Sequence, residues 1–194
     1  YQQLYDNDGK PIQNAFVDRD GNGTINDNDR YMAVTADGKA IKPAPDFFYG
    51  ITFKATWKNW DFGFNGHGSV GNWLFNDAYA SHSTTNANIN YNYIANYSRS
   101  VLRSGFHSSN ITAQSFSDMF LENASFFRMD DINLGYTFKW RSQKSTIRIA
   151  LSAQNVFVLT KYSGLDPEAS GENGIDSSMW PRPRVYSLRA AINF

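Results

Sequence analysis

The chain ends in Arg184-Val-Tyr-Ser-Leu-Arg-Ala-Ala-Ile-Asn-Phe194, and this stretch decides the fold. Every second residue from Tyr186 to Phe194 is apolar, whereas most of the intervening residues are polar or small. Alternation with a period of two is the pattern of a β-strand with one apolar face and one wet face. A last strand that ends on Phe is typical of a bacterial outer-membrane barrel, in which one face meets lipid and the other a water-filled lumen.

Four earlier segments alternate in the same way. Lys58 and Asn59 form a polar two-residue turn between the first two of them, which is a hairpin signal. Residues 141–145 form a second short polar turn, between the third and fourth segments. The predicted strands lie at about 47–57, 60–68, 127–140, 146–157 and 184–194.

The lengths of the connections alternate as well. Short turns follow the first and third strands, whereas long segments occupy residues 1–46, about 69–125 and about 159–182. Outer-membrane barrels have short periplasmic turns and long outside loops. We therefore predict an all-β fold, an antiparallel transmembrane β-barrel with long extracellular loops. Residues 1–46 form one such loop, and residues 47–194 form the C-terminal part of the barrel.

Composition excludes several classes of protein. The 18 basic and 18 acidic residues cancel, so no charge excess favours nucleic acid as a partner. The absence of cysteine excludes disulfides and thiolate metal sites. No apolar run approaches the roughly 18 residues of a transmembrane helix. The sequence begins at Tyr1 without the charged and apolar regions of a signal peptide, so we expect it to be a C-terminal portion of a longer protein.

The stretch from Asp18 to Asp29 fits the twelve-position calcium loop, and we call it the calcium-like loop. Gly23 takes the sharp-turn position, and Asp at the last position has a shorter reach than the usual Glu. A turn rich in Asp and Asn that holds no metal is the alternative. We predict a structural Ca²⁺ site that shapes the loop. The predicted ligands are Asp18, Asp20, Asn22, Thr24 and Asp29.

Catalytic constellations are missing from the sequence. The three histidines at positions 67, 82 and 107 lack metal-ligand spacing, and no serine motif or nucleophile–base pair is visible. Asp130 and Asp131 are expected to point to opposite faces of one strand, which makes them poor partners for acid–base chemistry. We therefore predict that the protein is not an enzyme. Aromatic residues that are candidates for ligand contact are Trp73, Tyr79, Tyr91, Tyr93 and Tyr97.

Three stretches carry a family resemblance. They are Leu151-Ser-Ala-Gln-Asn-Val-Phe-Val-Leu-Thr-Lys-Tyr-Ser-Gly-Leu-Asp-Pro-Glu168, Gly174-Ile-Asp176 and Pro181-Arg-Pro-Arg-Val-Tyr186. In order and spacing they resemble the C-terminal end of the SusC/RagA family of TonB-dependent outer-membrane transporters. The calcium-like loop, followed by Pro43-Ala-Pro45, is also similar to that family. Arg189 departs from the family, which usually has Gly there, but on the alternation it faces the lumen, where charge is tolerated.

The resemblance implies the C-terminal strands of a plugged barrel of about 22 strands. It implies a protein of the Gram-negative cell outer membrane that imports oligosaccharides or oligopeptides with a SusD-like surface lipoprotein. The TonB system would act through N-terminal parts that this sequence does not contain. Five strands leave two unpaired edges, so the remainder of the same barrel and outer-membrane lipid are further expected partners.

Three alternatives remain open at this stage. The first is a soluble calcium-stabilised β-sandwich for carbohydrate binding or adhesion, because sandwiches also use alternating strands. The second is an outer-membrane enzyme of lipase or protease type. The third is a TonB-dependent receptor for siderophores or vitamins, against which the stretch from Lys161 to Glu168 favours the SusC branch. The sequence identifies neither the nutrient nor the lipoprotein.

Overall fold

The structure is a computed structural model. It describes residues 1–85, 97–107, 116–140, 145–168, 173–177 and 180–193. The chain divides into two compact units. The loop unit comprises residues 1–44, 72–123 and 162–179, and the sheet unit comprises residues 45–71, 124–161 and 180–194.

The described residues form ten strands and two short α-helices. The strands are β1 (Gln3–Tyr5), β2 (Pro11–Phe16), β3 (Phe47–Trp57), β4 (Trp60–Val70), β5 (Trp73–Asn76), β6 (Leu121–Asn123), β7 (Phe126–Trp140), β8 (Ser145–Thr160), β9 (Ile175–Asp176) and β10 (Val185–Asn193). The helices are α1 (Asp77–Ser81) and α2 (Arg99–Ser104). None of the helices in this described part is long and apolar enough to cross a membrane.

The sheet unit is one antiparallel sheet in the order β10-β8-β7-β4-β3. Strand β3 spans the predicted residues, whereas β4 continues to Val70 and β8 to Thr160, beyond the predicted ends at 68 and 157. Strand β10 spans Val185–Asn193, and Phe194 lies outside the described residues. Because β3 and β10 each have one neighbour in the sheet, the five strands form an open segment of a barrel.

The register aligns apolar and polar residues into separate rows across all five strands. One row consists of Ala55, Phe62, Leu134, Leu151 and Leu188. The next row, on the opposite face, consists of Lys54, Gly63, Asn133, Ser152 and Ser187. Leu188 is 72% exposed, although a sandwich would cover such a residue with a second sheet. The sheet unit therefore has the two-faced arrangement of a transmembrane barrel.

A β-bulge interrupts this alternation in β7. The pairing of β7 with β4 shifts register between Met129 and Asp131, so Asp130 is the extra residue there. In the pairing of β7 with β8, Asp130 lies opposite two residues, Asn155 and Val156, so β8 has the extra residue. Asp130 contacts His67, and Asp131 accepts a hydrogen bond from Asn133 at 3.1 Å. Because His67 and Asn133 both belong to the polar face, the prediction that the two aspartates point to opposite faces is wrong. A bulge turns two consecutive side chains to one side, which strict alternation does not anticipate.

The long segments form short regular elements for which the sequence predicts no strands. Strands β1 and β2 make a hairpin, and β5 pairs antiparallel with β6 and parallel with β9. The core of the loop unit includes Tyr79, Ala80 and Phe120, with Phe75 and Met119 packed against them. Helix α2 ends at Gly105, which adopts the left-handed conformation typical of helix ends. The sequence also allows a short helical turn at residues 94–102. Residues 94–96 lie outside the described part of the chain, and α2 begins at Arg99.

Candidate functional site

The calcium-like loop brings three of its five predicted ligands together. Carboxylate oxygens of Asp18, Asp20 and Asp29 all lie within 4.8 Å of one another. Three negative charges at this distance repel one another unless a cation lies between them. Hard oxygen donors are the ligands that Ca²⁺ prefers, so the chemistry of the donor set fits this ion.

Backbone amides fix the first two carboxylates. Gly21 and Gly23 donate their N–H groups to Oδ1 and Oδ2 of Asp18, at 2.8 and 2.7 Å. The amide of Asn22 donates to Asp20 Oδ1 at 3.1 Å. Gly23 has a φ of 79°, which is the left-handed turn expected at its position in the loop. The backbone is therefore wrapped around the carboxylates as the spacing predicts.

Asp29 closes the loop from its other end. Its side chain is fully buried, and its two oxygens accept hydrogen bonds from the amides of Arg19 at 2.7 Å and Asn26 at 2.8 Å. The backbone hydrogen bonds from Asn26 and Arg19 lower the pKa of Asp29. The carboxylate therefore stays charged at neutral pH. Asn26 also caps the 3-10 turn Asp27–Asp29 in a capping box, which holds the last ligand in place.

The two neutral ligands predicted in this loop are engaged within it. Asn22 Oδ1 accepts a hydrogen bond from the amide of Thr24 at 2.7 Å. The carbonyl of Thr24 accepts one from the side chain of Asn26 at 3.0 Å. Each oxygen keeps a second lone pair, so both atoms remain able to contact an ion.

The sequence motif that carries the family resemblance forms a buried cluster in the loop unit. The hydroxyl of Tyr162 donates to Asp176 Oδ2 at 2.7 Å, with 5% of Tyr162 and none of Asp176 exposed. The tyrosine ring lies over Gly164, where an added Cβ would approach its Cζ to 2.5 Å. Asp166 accepts a hydrogen bond from the amide of Glu168 at 2.9 Å, which forms the turn at Pro167. Tyr162, Gly164 and Asp166 of the motif therefore each have a structural partner.

Glu122 connects this cluster to β5. Its carboxylate accepts hydrogen bonds from the amide and the hydroxyl of Ser163, at 2.8 and 2.6 Å. The side chain of Asn76 donates to the same carboxylate at 3.1 Å. Residues far apart in the sequence are thus joined through one acidic side chain.

The polar face of the sheet carries an ion pair and a histidine–aspartate contact that the sequence does not predict. Arg148 donates twice to Asp61, at 2.9 and 2.5 Å, and the pair passes over Gly135. His67 Nδ1 lies 2.7 Å from Asp130 Oδ2. Both pairs are partly exposed to solvent. These two contacts order the polar face of the sheet.

The predicted ligand-contacting aromatic residues have different environments. Tyr79 is buried, with its ring centroid 5.0 Å from that of Phe120 and 4.5 Å from the guanidinium of Arg103, so it packs the loop unit. Trp73 is half-buried in β5, and Tyr97 is exposed. Tyr91 and Tyr93 lie outside the described residues.

Comparison with known proteins places these features in one family. No protein-family model matches the chain. Over its whole length, the chain is 37% identical to the TonB-dependent receptor SusC of Bacteroides thetaiotaomicron and covers 19% of that protein. The chain belongs to the SusC/RagA family of TonB-dependent transporters. A second relative is the TonB-dependent receptor P3 of Formosa agariphila, 26% identical over 96% of the chain and 19% of its own length.

Solved structures show the fold of this SusC/RagA-family chain. The RagAB peptide importer in its closed-closed state matches with a TM-score of 0.56 and 21% identity. The match covers 97% of this chain and 20% of the matched chain. The open-open state matches with a TM-score of 0.55 and 21% identity, and the match covers 84% of this chain and 18% of the matched chain. At this identity the likeness concerns fold alone, and it agrees with the open sheet being a segment of a β-barrel. The chain spans about a fifth of the length of its relatives.

Proposed function

We propose that this chain is the C-terminal barrel portion of an outer-membrane importer that takes up oligosaccharides or oligopeptides and draws energy from the TonB system. Transport, and not catalysis, is its activity. The observation that carries the proposal is the pair of continuous rows, apolar on one face and polar on the other, in a chain 37% identical to SusC. The apolar row would face lipid, and the polar row a wet lumen.

A SusD-like surface lipoprotein is part of the same proposal. The three long segments, residues 1–46, about 69–125 and about 159–182, all attach to strand ends at the same side of the sheet. This side would be the outside of the cell. The solved RagAB structures are described as those of a peptide importer. A surface component that delivers substrate would meet the outside loops, and the loop unit is the part of this chain that it would contact.

Uptake measurements test the importer. Cells that express the intact transporter should take up labelled oligosaccharides or oligopeptides, and deleting the transporter or TonB should each abolish uptake. Equal uptake in a TonB-deficient strain contradicts the proposal. Co-purification of a lipoprotein with the affinity-tagged transporter tests the partner, and its absence from mildly solubilised membranes contradicts that part alone.

The orientation of the sheet has its own test. Since this chain contains no cysteine, single cysteines can be placed at neighbouring positions in an intact transporter free of other cysteines. Ser187→Cys should react with a water-soluble maleimide in detergent-free membranes, whereas Leu188→Cys should be protected. The two residues are adjacent but lie in opposite rows, so each is the control for the other. Equal labelling contradicts a lipid-facing row.

We also propose that the calcium-like loop binds a structural Ca²⁺. The convergence of Asp18, Asp20 and Asp29 supports this proposal, with Asn22 and Thr24 as further ligands. The bound ion would offset the repulsion among the three carboxylates and thereby hold the loop in one shape. Terbium luminescence in the intact transporter provides the measurement. Asp20→Asn should abolish a calcium-displaceable signal, whereas Asp8→Asn, an exposed turn residue, should preserve it. A signal that survives Asp20→Asn contradicts the site.

A further inference from the structure

An open groove of about 400 Å³ lies on the apolar face of the sheet unit. Strands β7, β8 and β10, which are neighbours in the sheet, form it. Two serines, Ser152 and Ser187, complete a wall that is otherwise apolar or aromatic. None of these lining residues is charged, so the groove fits a hydrocarbon chain. The other lining residues are Ile132, Leu134, Leu151, Ala153, Tyr186 and Leu188.

Two rows of the sheet explain the concave shape of the groove. Ala153 pairs with Ile132 on one side and with Tyr186 on the other. Its methyl group is the smallest side chain of that row, so the surface is lower there than at either neighbour. In the adjacent row, Leu151 pairs with Leu134 and with Leu188. All three leucines are exposed, so the floor and both sides of the groove can contact another molecule.

Two arginines precede the strand that forms one side of the groove. Strand β10 has nine residues, which matches the length of roughly 9–11 residues needed to cross a membrane at a tilt. Its first residue, Val185, therefore belongs at one boundary of the apolar layer. Arg182 and Arg184 lie just beyond this boundary, and both are exposed. Continuing the alternation of β10 outward places Arg184 on the face of Tyr186.

The segment that carries the arginines is held beside the groove. The side chain of Asn155 on β8 donates to the carbonyls of Arg182 at 2.9 Å and Pro183 at 3.3 Å. Pro183 also fixes its own φ and restricts Arg182 to extended conformations. Within the part of the chain that the structure describes, Arg184 forms no ion pair. A guanidinium in this position can donate two parallel hydrogen bonds to a phosphate.

We propose that the groove binds an acyl chain of a phosphorylated glycolipid of the outer leaflet, and that Arg184 binds the phosphate of the same molecule. The inference rests on the proposed function, which turns the apolar row to lipid and the arginines to the outside of the cell. Glycolipids of this class form the outer leaflet of a Gram-negative outer membrane. Tyr186 lies between groove and arginine, where a ring with a polar tip is favoured. Charge complementarity and an apolar groove together select a lipid with a phosphate over a neutral one.

Native mass spectrometry of the intact transporter tests this site. Transporter purified from outer membranes should retain one glycolipid molecule, identified by its mass after release. After delipidation, monophosphoryl lipid A should bind at a concentration roughly tenfold lower than the same glycolipid without its phosphate, because only the first offers Arg184 a charged acceptor.

Three variants separate the phosphate contact from the groove. Arg184→Gln should abolish the tenfold preference, whereas Leu188→Ala should weaken both glycolipids roughly fivefold because it removes part of the apolar wall. Arg189→Gln makes the same change as Arg184→Gln on the polar face of β10, one residue from Leu188, and should leave binding of both glycolipids unchanged. A heat-induced mobility shift in gels should be the same for all variants, which shows that each barrel is folded.

Several outcomes overturn the assignment. They are equal binding of the two glycolipids, a preference that survives Arg184→Gln or disappears in Arg189→Gln, and a phospholipid retained in place of the glycolipid. A dimer of transporters that excludes the glycolipid also overturns it, because a second copy then covers the groove. TonB-dependent uptake without a retained glycolipid would remove the lipid site but keep the importer. A retained glycolipid without TonB-dependent uptake would keep the lipid site and remove the importer.

Discussion

The hydrogen bond between Tyr162 and Asp176 provides the sharpest test of how the loop unit is held together. Replacing Tyr162 with Phe removes the hydroxyl and leaves the ring in place over Gly164. Both partners are buried, at 5% and 0% exposure, so solvent does not screen the 2.7 Å contact. A hydrogen bond to a charged group contributes about 1.5–3 kcal/mol. The variant leaves the buried Asp176 carboxylate without this donor.

The expected loss of stabilising free energy predicts a faster rate of amide hydrogen exchange in the loop unit. Since a tenfold change corresponds to about 1.4 kcal/mol, local opening should become roughly ten to 150 times more frequent. The amide of Phe75 reports this opening, because it donates to the carbonyl of Gly174 at 2.9 Å, next to Asp176. Exchange measured by mass spectrometry on the intact transporter should accelerate there. The sheet strands should exchange as before.

Two further variants decide whether the reasoning is correct. Tyr186→Phe makes the same chemical change at a residue that is 76% exposed, and exchange at Phe75 should not change. Gly164→Ala places a methyl group against the Tyr162 ring and should accelerate exchange by a steric route. If exchange at Phe75 in Tyr162→Phe stays within about twofold of the wild type, the cluster does not secure this region and the energetic argument is refuted.

The same bond predicts a dependence on alkaline pH. Burial and the hydrogen bond to Asp176 raise the pKa of Tyr162. In the unfolded chain tyrosine loses its proton near pH 10, whereas in the folded unit it stays neutral to higher pH. The stabilisation is therefore complete below about pH 10 and is lost as pH rises through the folded pKa. In Tyr162→Phe this part of the alkaline destabilisation should disappear, which exchange measured at rising pH would detect.

Three other expectations follow from single contacts. Gly135→Ala should split the Asp61–Arg148 pair. Because half-exposed ion pairs contribute about 1 kcal/mol or less, the temperature at which heating changes the mobility of the barrel in gels should fall only modestly. Asn155→Ala should lower the stability of the barrel by about 1–3 kcal/mol, because it strains a residue with a φ of 50° and removes its side-chain hydrogen bonds. The transition temperature in the same assay should therefore fall, and it should fall less for Asn155→Gly. Chelation of calcium should expose the calcium-like loop to protease while strand pairing persists, as mapped by fragment masses.

The sheet was predictable because a strand repeats its pattern every two residues. The alternation of Tyr186, Leu188 and Ile192 predicts one face, and the observed pairing of Leu188 with Leu151 extends that face to the next strand. The prediction fails at Asp130, where an extra residue breaks the period. No residue type there signals a bulge, although Asn155 on β8, with its positive φ, is the kind of residue that tolerates one.

The loop unit was less predictable because its contacts are remote in sequence. Strand β5 pairs with β9 through Phe75 and Ile175, a hundred positions apart, and both strands are too short to show alternation. The calcium-like loop is the exception, since all of its proposed ligands lie within twelve residues and Asp18, Asp20 and Asp29 converge as their spacing predicts. The contact between Glu122 and Ser163 has no such local signal, so only the folded chain reveals it.

The residues around Tyr162 should therefore have a structural role in the loop unit. Tyr162, Gly164 and Asp176 are committed to one another by burial and close contact, so they specify the loop unit without touching a ligand. A transporter that changes its substrate must keep them, or the unit opens. If exchange at Phe75 stays slow in both Tyr162→Phe and Gly164→Ala, these residues do not specify the loop unit.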